Sequence, residues 1–159
     1  MAEPIDIKNY LPHRAPMLMV DWILVLDNQQ VETIFTIKSD NIFVENGIFC
    51  ESGLIENAAQ TCSSIVGKGY CVDENNQDRE GVAVMGFISA LKVLKIHSLP
   101  SVGSTINSKS VLISKFATDD YTLCTMSCST FNGDELLLEG EINLFIQEIP
   151  QAEAETENI

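Results

Sequence analysis

At 159 residues and 45% hydrophobic, the chain holds one sizeable core but is too short for two independent domains, so residues 1–147 are expected to form a single domain. A formal net charge of -14 with nine Lys and Arg in all argues against a nucleic-acid groove, which needs cations against phosphates. The opening "MAEPIDIKNY" carries charges where a secretory signal needs an apolar run, and no stretch approaches the roughly 18 apolar residues of a membrane span, so a cytoplasmic protein without a membrane partner is expected.

In chain order, a short amphipathic segment "IDIKNYLP" precedes an extended run "MLMVDWILVLD", which "DNQQ" turns into a second strand with Val31, Thr33, Phe35 and Ile37 alternating. An irregular piece, "NIFVENGIFCE", carries the turn signal Asn46-Gly47. From about Glu51 to Gly69 apolar residues recur at helical spacing, with Ser52 as the expected N-cap and termination expected near Gly67 and Gly69. A polar loop follows around Asp73 to Glu80. Four long strands come next: "GVAVMGFISALKVLKI", "STINSKSVLISKFAT", "DYTLCTMSCSTFN" and "ELLLEGEINLFIQE", the last pair joined by the hairpin signal "NGD". Residues 148–159 lose apolar periodicity and read as a disordered acidic tail.

Two strands, one helix and four long strands give an α+β class in which an antiparallel sheet wraps a single hydrophobic helix. A chain of this size leaves part of that arrangement open, and a dimer would close it.

The helix carries the chemistry. At about 100° per residue, Leu54, Ile55, Ala58, Ala59, Cys62, Ile65 and Val66 occupy one arc, while Glu56, Gln60, Ser63, Ser64 and Gly67 occupy the opposite one. That polar arc has one charge only. A solvated face in so acidic a chain would carry several charges; small polar residues mean that something packs closely against it. Glu56 and Gln60, a single turn apart, are therefore the candidate site. Acidic first-turn residues also arise simply because the helix dipole favours them.

Imidazole is scarce: His13 and His97 are the only histidines. Each also has an ordinary reading, His13 in the turn before the first strand and His97 at a strand end. The five cysteines, Cys50, Cys62, Cys71, Cys124 and Cys128, contain no C-x-x-C pair and no histidine at metal-ligand spacing, so they read as reduced thiols and no metal site is expected. Gly103 in "PSVGST" is read as a positive-φ turn position.

Three segments, "LPHRAPMLMVD", "GLIENAAQ" and "FISALKVLKIHSLPSVGSTI", resemble the 3-hydroxyacyl-acyl-carrier-protein dehydratases of fatty acid synthesis in order and spacing. Leu11 to Met17, Phe43 to Gly47 and Glu56 to Gln60 are more similar still to the dehydratase-like branch of aryl polyene biosynthesis. The resemblance implies a hot-dog fold, normally dimeric, acting on a thioester carried by the phosphopantetheine of an acyl carrier protein, with no cofactor of its own. In that family a helix carboxylate and a histidine from the facing subunit flank the thioester; the histidine removes the α proton and the acid helps the β-hydroxyl leave. By position the carboxylate is Glu56 and the amide Gln60. The family's histidine stands in a Gly-His-Phe-Pro loop that here reads "NIFVENG", with Asn41 or Ile42 in its place.

A positioned general base contributes about 10² to 10⁴-fold in rate, so its source matters. Either His13 acts as base, or a heteromeric hot-dog partner supplies the histidine across the interface, or the chain binds acyl groups without catalysis; pairing as a homodimer and pairing as a heterodimer with a hot-dog dehydratase are both open to it. A thioesterase using the same carboxylate is a further alternative. Lys92, Lys95 and His97, with Arg14, are the cations available to a carrier protein or thioester. Strict alternation places Lys92 on the face opposite Lys95 and His97.

Overall fold

The computed structural model describes residues 2–71, 75 and 82–150. The polar loop expected around Asp73 to Glu80 lies, apart from Asn75, outside the described residues, as does the tail from 151 onward. The elements are β1 (Ile5–Asp6), a 3-10 turn (Ile7–Asn9), β2 (Trp22–Leu26), β3 (Gln30–Thr36), β4 (Val44–Glu45), β5 (Ile48–Phe49), α1 (Glu51–Cys71), β6 (Val82–Ile96), β7 (Thr105–Ala117), β8 (Thr122–Asn132) and β9 (Glu135–Pro150). Seven strands form one antiparallel sheet in the order β1-β2-β3-β7-β8-β9-β6, and β4 and β5 make a separate hairpin. The final strand thus runs through residues 148–150, three past the expected domain end.

Turn chemistry explains the connections. Asp27 Oδ1 accepts from the backbone N–H of Gln29 and Gln30, fixing the β2-β3 hairpin. Asn46 (φ 51°) and Gly47 (φ 76°) both sit in the left-handed region that a two-residue hairpin demands. Gly103 (φ 89°) likewise occupies the expected left-handed turn.

The sheet curves around α1, which touches β3, β6, β7, β8 and β9. Leu54, Ala58, Ala59, Cys62, Ile65 and Val66 are buried against Ile106, Met126, Leu138, Ile142 and Leu144 of the sheet. Each large aliphatic side chain so buried contributes about 1.5–3 kcal/mol before entropy is charged. The strands alternate as period two requires: Val31, Thr33, Phe35 and Ile37 are all buried.

Three expectations need correction. α1 begins at Glu51, so Ser52 lies exposed inside the first turn rather than capping it. The run from Met17 does not start as strand; β2 begins at Trp22, because the backbone of Met17 and Met19 is bonded to helix side chains instead. And α1 passes through Gly67 to Cys71. Gly67 is needed for space: a Cβ there would collide with the carbonyl oxygen of Tyr10. The N-terminal segment lies directly on the helix backbone at this point.

Among the described residues no helix is long and apolar enough to cross a membrane. Cys62, Cys124 and Cys128 are buried free thiols, and Cys50 is half-buried and free.

Gly67→Ala forces Tyr10 off the helix and is expected to cost about 1–3 kcal/mol, as overpacking does. Gly86→Ala is the control, since its Cβ would meet only Ile146 Cγ1 at 3.8 Å and Phe145 O at 4.0 Å. Urea denaturation of both variants checks the difference.

Candidate active site

The first turns of α1 place Glu56 and Gln60 side by side, and Gln60 Nε2 donates to Glu56 Oε1 at 2.8 Å. The same amide nitrogen donates to Met17 O at 2.8 Å, while Gln60 Oε1 accepts from Met19 N–H at 2.7 Å. Gln60 is buried, 1% exposed. The polar arc of the helix is therefore covered by the segment running from Tyr10 to Met19, as its lack of charge implied.

That covering segment carries His13. Its Nε2 lies 3.8 Å from Glu56 Oε1, with side chains 29% and 23% exposed respectively. The contact joins residues 43 positions apart in sequence but within one chain. His13 Nδ1 is buried and has no hydrogen-bond partner among the described residues. Burial lowers the imidazole pKa below its usual 6.5; the Glu56 carboxylate pulls it back up and the Arg14 guanidinium pushes it down again, with burial winning. The ring is thus neutral at neutral pH.

Arg14, though exposed, turns its guanidinium back onto its own loop. Its Nη1 donates to Leu11 O at 2.9 Å and His13 O at 2.7 Å, and Nη2 to Lys8 O at 3.3 Å. The guanidinium staples the loop that presents His13. Asn41, in the place of the family's loop histidine, accepts from Phe43 N–H and donates to Met19 Sδ; it holds its own turn.

Lys92 and Lys95 lie on β6 opposite Glu141 and Glu139. Strict alternation would separate them, but two residues, Val93 and Leu94, face the single Gly140, and this bulge returns Lys92 and Lys95 to one face. Gly140 is required there, since a Cβ would lie 2.7 Å from Leu94 Cα. His97 Nε2 is 3.4 Å from Glu139 Oε1. These cations share their surface with carboxylates and are remote in the fold from the Glu56 turn: they line the sheet's outer face, where Lys95, Glu139 and Glu141 border an open groove of about 600 Å³.

Asn57 and Thr61 fall between the two arcs of the helix and were not singled out from sequence, yet both are fully buried. Asn57 Nδ2 donates to Met19 O at 2.7 Å, and Ser108 Oγ donates to Asn57 Oδ1 at 2.6 Å. Thr61 meets Thr33 hydroxyl to hydroxyl at 2.7 Å. The signal was present: from Asn57 to Gly67 the helix carries no charge at all.

The architecture, one large antiparallel sheet wrapped on a single long helix, defines a class, the hot-dog proteins. Within it, the family model described as ApeP dehydratase matches residues 5–155, and the chain belongs to this ApeP-like family. It is a dehydratase-like protein, of the branch that the motifs resemble. The dehydratase heterocomplex ApeI:P from Xenorhabdus doucetiae superposes with a TM-score of 0.73 at 17% identity, covering 98% of this chain and 97% of that one. An uncharacterized protein, PH1136, from Pyrococcus horikoshii gives 0.58 at 12% identity over 91% and 94%. A hypothetical thioesterase with coenzyme A from Streptococcus pneumoniae gives 0.53 at 8% over 81% and 87%. At such identities these neighbours speak for the fold. No curated protein sequence matches the chain.

The His13 ring resonances should titrate below pH 6.5, and Glu56→Gln should move the midpoint lower still, because it removes the one charge that raises it. NMR of the two ring protons reads both. Linkage has the matching sign: the unfolded state binds the proton first, so stability is lost as pH falls below about 6.5, and His13→Gln should flatten that loss.

Proposed function

We propose that the chain eliminates water from 3-hydroxyacyl thioesters carried on the phosphopantetheine of an acyl carrier protein, in fatty acid or polyene synthesis, with His13 as base and Glu56 as acid. The observation that carries this reading is the 3.8 Å approach of His13 Nε2 to Glu56 Oε1 within one chain. It supplies an imidazole where the family's loop histidine is replaced.

The chemistry balances on these two groups. The reacting form has His13 neutral and Glu56 protonated: the imidazole accepts the proton from the α carbon; the electron pair forms the Cα=Cβ bond as the Cβ–O bond breaks; Glu56 delivers its proton to the departing hydroxyl, which leaves as water. Afterwards His13 holds a proton that Glu56 lacks, and transfer across their contact restores the pair. Gln60 occupies Oε1 of Glu56, leaving Oε2 to face the substrate. The route needs no metal and no redox group.

A second hot-dog subunit completes the assembly in this reading. Support comes from β6, a 15-residue strand at the sheet edge that exposes Ile88 (38%) and Leu91 (45%) on its helix side, and from the neighbour named as a heterocomplex. Lys92 and Lys95, now on one face, are the carrier-protein contacts proposed, weakened by the acidic residues opposite.

The test is dehydration of a 3-hydroxyacyl carrier-protein thioester followed by mass, with the chain alone and mixed with a homologous hot-dog dehydratase. Expected is water loss that His13→Ala lowers by about 10² to 10⁴-fold and Glu56→Gln abolishes, while His97→Ala leaves it unchanged. Its kcat/KM should fall as pH drops through the His13 titration, below 6.5. Activity only in the mixture, insensitive to His13→Ala, assigns the base to the partner; hydrolysis without dehydration would make the chain a thioesterase, and neither reaction in any mixture leaves an acyl-binding subunit. Leu91→Glu should separate the subunits, read by light scattering.

A further inference from the structure

The side chains behind Glu56 form a chain of hydrogen bonds with a single direction. Asn57 Nδ2 sits 2.7 Å from Met19 O, an acceptor, so this atom is the amide nitrogen and Oδ1 faces the sheet. Oδ1 can only accept, so the proton of Ser108 Oγ goes to it, at 2.6 Å. Ser108 then has no second proton, and the 2.8 Å contact with Thr130 Oγ1 must be donated by Thr130. On the other side, Met19 N–H donates to Gln60 Oε1, which orients that amide and leaves Nε2 for Met17 O and Glu56 Oε1. The donors run from Thr130 on β8 through Ser108 on β7, Asn57 on α1, the Met19 peptide and Gln60, and end on the carboxylate.

Asn57 is the member that ties the loop to the sheet. Without its grip on Met19 O, the Met19 peptide can turn away, Gln60 loses the N–H that fixes its amide, and a flipped Gln60 would set Oε1 against the carboxylate of Glu56. The same peptide anchors the segment from His13 to Met19, within which Met17 N–H and Leu18 N–H both return to Arg14 O. Thr33, Thr61, Ser108 and Thr130 are all fully or almost fully buried, so no water stands ready to replace a broken link.

We propose that Asn57 is a positioning residue of the dehydration site: through Met19 it holds the His13 loop against Glu56 and fixes the Gln60 amide with its NH₂ toward the carboxylate. This rests on the proposed reading of His13 and Glu56 as base and acid. Asn57 touches no substrate; it acts on the reaction through Met19 and Gln60.

Two variants test it. Asn57→Leu keeps the volume and removes the link; Ser108→Ala removes the donor behind Asn57 and is the milder change. Both are compared with wild type by circular dichroism, by steady-state kinetics and by the NMR titration of His13. For Asn57→Leu the expectation is a drop in kcat of tenfold or more with KM within about twofold, and a His13 midpoint moving up toward 6.5 as the loosened loop admits water. Ser108→Ala should move both readouts the same way by a smaller amount, and it decides the matter if Asn57→Leu fails to fold. A folded variant with wild-type kcat and an unmoved His13 titration overturns the proposal. The titration needs no turnover, so a wild type that does not dehydrate its substrate overturns the functional reading separately, while the His13 shift still reports whether Asn57 holds the loop.

Discussion

A helix that carries a carboxylate and two amides can be enclosed only if every polar group finds a partner. The segment from Tyr10 to Met19 provides them. It offers Met17 O and both backbone groups of Met19 to Gln60 and Asn57, and because it must lie flat on the helix to do so, Gly67 is bare where Tyr10 passes. An unpaired buried amide would cost about 1–3 kcal/mol, so the amides and the segment stabilise one another's placement. The position of His13 follows from that mutual satisfaction; its imidazole is where it is because Gln60 and Asn57 hold the backbone that continues from it.

Much of this was readable from the chain. Period-two alternation located the strands to within a few residues, since the sheet has one face against the helix, and the uncharged polar arc announced that Glu56 and Gln60 would be covered. What covered them was not readable. Contacts spanning 41 and 43 residues leave no local period, and the run from Met17 looked like strand because Met19 and Val20 do turn inward, although the backbone of Met17 and Met19 bonds to side chains rather than to another strand. Asn57 and Thr61 were hidden for a different reason: each is polar at a position where the partner, Ser108 or Thr33, is also polar and lies on a strand that pattern alone reads as ordinary.

The extra residue at Val93 and Leu94 shows the same limit on a smaller scale. A bulge depends on the partner strand, here on Gly140 giving way, so counting along β6 alone puts Lys92 on the wrong face. Val93 takes φ 45°, an unusual conformation for a β-branched residue that costs about 1–3 kcal/mol. The strand bends there, and the edge it presents to a neighbour is not a straight ladder. Such an edge admits a partner shaped to it and discourages indiscriminate strand addition.

The bare position at Gly67 also bears on the order in which the protein assembles. Tyr10 can settle only on a helix that already exists, and the bonds from Met17 and Met19 each close a long stretch of chain, an entropic cost met late when the loop's landing surface is itself a product of folding. The hairpins of the sheet, by contrast, close over turns of a few residues. The N-terminal segment is therefore expected to arrive last. Until it does, the chain has its sheet and its helix, with the imidazole still away from the carboxylate: a nearly complete fold in which the proposed pair has not yet met.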